Sequence, residues 1–187
     1  GAEAEREGSA YSGTVRGRYE SALAFQAGGR ITARNVQLGS VVHAGDVLMT
    51  VDPKDVVQSV YQAQAQVSAA QAQLQLAEAN LARYKQLFAQ DAVSAAALDQ
   101  YQTAYDQAAA QYQQAAALQQ AQENQLSYTN LTADADGVVS ALSGEVGQVV
   151  AAGQTVLTLV HSGELEVQID VPENKLAEFP VGQAVTL

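Results

Sequence analysis

The residues that could do chemistry are few and scattered. The chain has no cysteine, so a disulfide, a cysteine zinc site and a thiol nucleophile are all closed to it. Its two histidines, His43 and His161, fall near related turns with no ligand cluster around them, and no metal site follows from them. Asp134 and Asp136 stand just before Gly137, where carboxylates serve a turn by bonding nearby backbone. They do not read as an opposed pair for acid–base work. Tyr101, Tyr105 and Tyr112 recur at helical spacing, which suits packing with the hydroxyls at the solvent edge better than an aromatic ligand cage. The expectation is a non-enzymatic protein without cofactor or metal.

Charge narrows the field further. The formal net charge is −11 and the pI about 4.4, with only nine Lys and Arg spread along the chain. Phosphate binding rests on clustered cations, so nucleic acid is excluded as a partner. The longest apolar runs fall far short of the roughly 18 residues that a membrane span needs, and the N-terminus lacks the basic-then-apolar pattern of a signal peptide.

The elements that must position anything functional are dominated by residues 52–126. No glycine occurs between Asp46 and Asp136, and Pro53 is the one proline in that interval. With both backbone breakers removed and Ala, Gln and Leu enriched, helix has the lowest local cost. Val60, Val67, Leu74, Leu81 and Phe88 recur every seven residues, with Val56, Ala63, Ala70, Ala77 and Tyr84 as the second seam position. The second half repeats the interval in Leu98, Tyr105, Tyr112, Gln119 and Leu126, beside Tyr101, Ala108, Ala115 and Gln122. Each half therefore carries a narrow seam, and only residues 90–93 separate them, which predicts a long antiparallel coiled-coil α-hairpin. Asp52 is placed as N-cap with Pro53 as first helical residue, and Ser94 as cap of the returning helix. One arm of this rod would be about 55 Å long at 1.5 Å per residue, more than a compact core requires. Leu87, next to the seam residue Phe88, falls off the stripe and is expected to be exposed.

The flanks read as one β module cut in two. Shifting the chain by 108 residues places Gly29 on Gly137, Ala33 on Ala141, Gly39 on Gly147, Val41-Val42 on Val149-Val150, Ala44-Gly45 on Ala152-Gly153 and Thr50 on Thr158, without gaps. Ile31 falls on Val139 and Met49 on Leu157. Two such halves pair most simply into a quasi-symmetric β-sandwich. The fold class is then α+β, with the hairpin 52–128 inserted between sandwich halves 21–51 and 129–161. Residues 1–8 read as a flexible lead-in, and 9–20 with 162–187 as strands of a partial antiparallel β-barrel.

The half-motifs Gly29-Arg30-Ile31 with Val41-Val42-His43-Ala44-Gly45-Asp46, and Val149-Val150-Ala151-Ala152-Gly153-Gln154, resemble lipoyl and biotinyl domains. Split by a helical hairpin, they resemble the periplasmic adaptors, or membrane fusion proteins, of Gram-negative tripartite efflux pumps. Tyr19-Glu20-Ser21, Leu23-Ala24-Phe25, Asn124-Gln125-Leu126-Ser127-Tyr128-Thr129 and Asp136-Gly137-Val138-Val139 are most similar to adaptors of resistance-nodulation-division (RND) pumps. In that family an Arg, a Leu four residues on and a Ser seven beyond that engage the TolC-type outer-membrane channel; Arg83, Leu87 and Ser94 stand at those intervals across the reversal. The resemblance implies an inner-membrane RND-type transporter and a TolC-type channel as partners, a homo-oligomeric ring (trimer or hexamer), and residence in the periplasm beside the inner membrane. It places no membrane-proximal domain within these residues.

Blander readings stand beside this one. Arg83 could be a solvated rod residue and Ser94 a cap alone. Lys54 raises a lipoyl or biotinyl carrier, yet it falls in the first helical turn without the flanking pattern of a modified lysine. A coiled-coil tether unrelated to transport fits the rod equally well; the split β module and the tip residues argue against it.

Overall fold

The computed structural model describes residues 19–163, so nearly all of the expected barrel strands and the whole lead-in lie outside the described residues. In chain order the elements are β1 (Glu20–Ala24), β2 (Gly29–Arg34), β3 (Val41–Val42), β4 (Val47–Val51), α1 (Lys54–Ala89), α2 (Ala95–Ser127), β5 (Asn130–Thr132), β6 (Gly137–Leu142), β7 (Val149–Val150) and β8 (Thr155–His161). They form two compact bodies. One gathers the strands on both sides of the insertion, and the other is the helical hairpin, residues 53–127. The first strand starts at Glu20, so that residue belongs to the sandwich ladder.

The strands make two four-stranded antiparallel sheets, ordered β1-β8-β6-β3 and β5-β4-β2-β7. Adding 108 to a residue number turns one sheet into the other, and the hydrogen bonds obey the same rule. Gly39 N–H donates to Val139 O and Gly147 N–H to Ile31 O, both at 2.8 Å. Gly45 N–H donates to Ala133 O at 2.9 Å, and Gly153 N–H to Phe25 O at 3.0 Å. Each sheet thus takes strands from both halves of the chain, and neither half could close its ladders alone. The turn glycines obey it too, with φ of 89° and 94° at Gly39 and Gly147 and 91° and 84° at Gly45 and Gly153. That left-handed backbone is the reason glycine recurs there.

Strict alternation fails at one duplicated place. Leu48 and Met49 are consecutive and both fully buried, as are Val156 and Leu157. A register shift between Val47 and Met49, matched by one opposite Thr155 and Leu157, lets two successive side chains turn inward. Ile31, Val51, Val139 and Leu159 are fully buried in the same core, each contributing roughly 1.5 to 3 kcal/mol of burial. Phe25 sits where the repeat puts Ala133, so the internal symmetry is broken by volume as the interdigitating core requires.

The hairpin helices contain 36 and 33 residues, and α1 alone is about 54 Å long. They pack antiparallel, with Tyr84 stacked on Tyr101 at 3.9 Å between ring centroids. Val60, Ala63, Ala70 and Leu81 are buried on α1 and Ala115 on α2, all of them seam positions. Two expectations need correction. The N-cap of α1 is Pro53, not Asp52: Asp52 N–H is still committed to the sandwich ladder, donating to Arg30 O at 2.8 Å, while Val57 N–H bonds Pro53 O. The seam also does not continue into its last heptad. Leu87 is half-buried and Phe88 is 42 % exposed, the reverse of the sequence reading.

Candidate docking site

The exchange falls at the foot of the hairpin reversal, residues 90–94. Without a glycine to end α1, the chain turns on Asp91, the single non-glycine residue with positive φ (59°) among the described residues. Aspartate tolerates the left-handed region better than most side chains. Ala92 N–H then folds back to Leu87 O at 2.8 Å, and Gln90 N–H reaches the same carbonyl at 3.2 Å. Asp91 N–H bonds Phe88 O at 3.0 Å in the same turn.

Ser94 opens α2. Its Oγ accepts from Ala97 N–H at 3.1 Å and its carbonyl from Leu98 N–H at 3.2 Å, so it is the helix cap that the sequence indicates. The hydroxyl proton is still available to a partner. Arg83 lies about two turns back on α1, where its Nη1 donates to Asn80 Oδ1 at 2.8 Å on the same helix. Arg83, Leu87 and Ser94 therefore share one end of the hairpin, each held by its own local bonds. Beneath them, the hydrogen bond with Tyr84 holds the Tyr101 hydroxyl above tyrosine's ordinary 10.0, against the opposing pull of the Arg83 guanidinium. The stack joins α1 to α2 just below the reversal. Among the described residues, no three His, Cys, Asp or Glu side chains gather as metal ligands.

One polar cluster escaped the sequence reading. Ser21 Oγ lies 3.0 Å from His161 Nε2 and donates to Asp134 Oδ1 at 3.1 Å, with the Tyr19 ring edge-on to the imidazole at 4.4 Å. The trio has the residue types of a hydrolytic triad but not its wiring. Asp134 approaches the serine hydroxyl and the same ring nitrogen, Nε2, at 3.7 Å, whereas a triad carboxylate orients the imidazole through the other nitrogen, Nδ1. The 108-residue shift puts Thr129, Gln26 and Pro53 at the equivalent positions, so the cluster is not a consequence of the repeated fold. It ties β1, the turn before β6 and the end of β8 together.

Comparison with known proteins places this architecture. The family described as "RND MFP, barrel-sandwich hybrid domain" matches residues 21–170. A "Multidrug resistance protein MdtA" of Klebsiella pneumoniae is 30% identical over 167 residues, covering 88% of this chain and 40% of that protein. The chain thus spans about two fifths of the length of that relative. Among solved structures, MacA from Actinobacillus actinomycetemcomitans aligns with a TM-score of 0.58 at 26% identity, covering 77% of this chain and 50% of that one. A MacA-MexA chimera containing the Pseudomonas aeruginosa MexA α-hairpin domain aligns with a TM-score of 0.53 at 31% identity, covering 76% of this chain and 48% of the chimera. The matched residues take in both halves of the sandwich and the helical hairpin between them, and the chain belongs to the RND membrane fusion protein family.

Proposed function

We propose that this chain is the sandwich and hairpin portion of a non-enzymatic periplasmic adaptor of a tripartite efflux system. In this reading it bridges an inner-membrane RND-type exporter to a TolC-type outer-membrane channel. The observation that carries it is a hairpin with arms of 36 and 33 residues, inserted between interlocked sandwich halves and ending in a reversal that gathers Arg83, Leu87 and Ser94. A core does not need arms of that length; reaching a second protein does.

At the reversal, Leu87 and the exposed Phe88 offer apolar contact, while the Arg83 guanidinium and the Ser94 hydroxyl offer donors to helix-end carbonyls of the channel. Each tip contact is small, so affinity comes from several copies acting together, in a trimeric or hexameric ring. The seam packs as a coiled coil in this account, and a face of uncharged side chains, including Ala69, Gln73, Leu76, Ala104 and Gln111, allows neighbouring hairpins to lie side by side without desolvating charge. The name of the MdtA relative supports drug-like compounds as cargo.

The test is export. Leu87→Asp should abolish resistance in complemented cells while helix content and expression stay at wild-type levels. Retained resistance would remove the reversal from the mechanism.

A further inference from the structure

The chain is poor in the side chains that oxidants usually attack first. It has no cysteine and no tryptophan, and its single methionine, Met49, is fully buried in the sandwich core. Its eight tyrosines then carry the most easily oxidised groups that remain.

Two of them are placed unlike the rest. Tyr84 on α1 and Tyr101 on α2 stack with ring centroids 3.9 Å apart and planes 24° from parallel, closer than the roughly 4.5 to 7 Å at which aromatic pairs usually settle. Among the described residues this is the one contact between two tyrosine rings. A hydrogen bond joins the two side chains, and a tyrosine side chain has only its hydroxyl to offer, so both phenols point the same way. The Cε carbons that flank each hydroxyl therefore face one another across the stack. Both residues are half-buried, which leaves them within reach of a small oxidant. Leu81, one turn before Tyr84, is buried in the seam, so the stack continues a packed interface.

We infer that Tyr84 and Tyr101 are an oxidative cross-linking site, at which one-electron oxidants such as the carbonate radical convert the stack into a dityrosine that staples α1 to α2 beneath the reversal. Each phenol gives one electron to an oxidant and its hydroxyl proton to solvent, leaving two neighbouring phenoxyl radicals. The radicals couple by forming one bond between Cε carbons. The hydrogen on each of those carbons moves to its own ring's oxygen as aromaticity returns. The balance is two electrons to two equivalents of oxidant and two protons to water. Because the rings are already in contact, coupling is an event within one molecule and not an encounter between two. The link spans residues 84–101, so it closes the loop that carries Leu87, the reversal and Ser94, and restrains that loop against fraying.

The test oxidises the purified 187-residue chain at low concentration with photo-excited ruthenium tris-bipyridyl and persulfate. Wild type should gain dityrosine fluorescence while still running as a monomer under denaturing conditions. Trypsin cuts after Arg83 and Lys85 and then not before Lys175, so the cross-link should hold the dipeptide Tyr84-Lys85 on the fragment 86–175, two hydrogens lighter than the separate peptides combined. Tyr84→Phe and Tyr101→Phe keep an aromatic ring at each place and should each lower the dityrosine of the monomer by about tenfold or more. Tyr61→Phe, which removes a 60 % exposed tyrosine from the same helix as Tyr84, should leave it unchanged. The cross-linked chain should exchange the amides of residues 88–94 more slowly than the untreated one. Dityrosine as abundant in either ring variant as in wild type, a yield that falls equally in Tyr61→Phe, dityrosine found only between chains, or unchanged exchange in the cross-linked chain would overturn the inference. None of these readings involves export, so failure here and failure of tip docking are separable.

Discussion

Gly29 and Gly137 occupy the same place in the two halves of the sandwich, yet adding one methyl group should have very different consequences. A Cβ on Gly137 would stand 2.1 Å from the carbonyl oxygen of Val160 and 3.0 Å from its carbonyl carbon, both backbone atoms. Val160 cannot turn away as a side chain would; β8 must retreat by most of an ångström from a sheet it occupies as an inner strand. A Cβ on Gly29 would meet only the Val51 side chain, at 3.3 Å and beyond, and a shift of a few tenths accommodates it. Overpacking against rigid surroundings costs typically 1 to 3 kcal/mol, and the backbone clash puts Gly137→Ala at the upper end, about 3 kcal/mol. Gly29→Ala should stay within about 1 kcal/mol of wild type, because the loss of unfolded-state freedom offsets the tight contact. For a body of this size, 3 kcal/mol corresponds to a drop of about 12 °C or more in melting temperature. Differential scanning calorimetry of both variants against wild type reads this directly. Equal melting temperatures for the two alanine variants would refute the interlocked arrangement of β6 and β8.

Two further outcomes follow from the hairpin. Ser94→Ala should cost about 1 kcal/mol and raise amide exchange at residues 95–97, while Ser94→Asp, also a good cap, should restore protection; equal exchange in all three proteins would remove Ser94 as the cap. Tyr84→Phe should lower the titration of Tyr101 toward tyrosine's ordinary 10.0, read by NMR of ring-labelled tyrosine. Because the folded-state value is raised, any stability linked to it is complete below the ordinary value and disappears as pH climbs through the raised one, so wild type should lose helix stability at strongly alkaline pH.

The architecture was legible because it is repetitive. The 108-residue shift needs only single-residue matches, and the hydrogen bonds of the two sheets then follow it pair by pair. The helices were legible because nothing between Pro53 and Asp136 breaks a helix. The heptad count failed at its last position, Phe88, where the helix is about to end and a seven-residue repeat no longer has a facing turn to specify it. Asp91 could have been found as the residue best able to turn left-handed in a stretch without glycine. The Ser21, Asp134 and His161 cluster could not: Asp134 and His161 lie 113 and 140 residues from Ser21, and no repeat duplicates them. Of the tip residues, only the capping role of Ser94 has a local signature; Arg83 and Leu87 stood out by family resemblance.

The most direct measurement exploits the absence of native cysteine. Ala92→Cys places one thiol in the reversal, and Gln62→Cys places one on an exposed position near the opposite end of α1. Each, carrying a benzophenone maleimide, would be irradiated in the presence of the outer-membrane channel. The account predicts a covalent adduct with the channel from position 92 and none from position 62. No channel adduct from position 92, or equal capture from both, would contradict it.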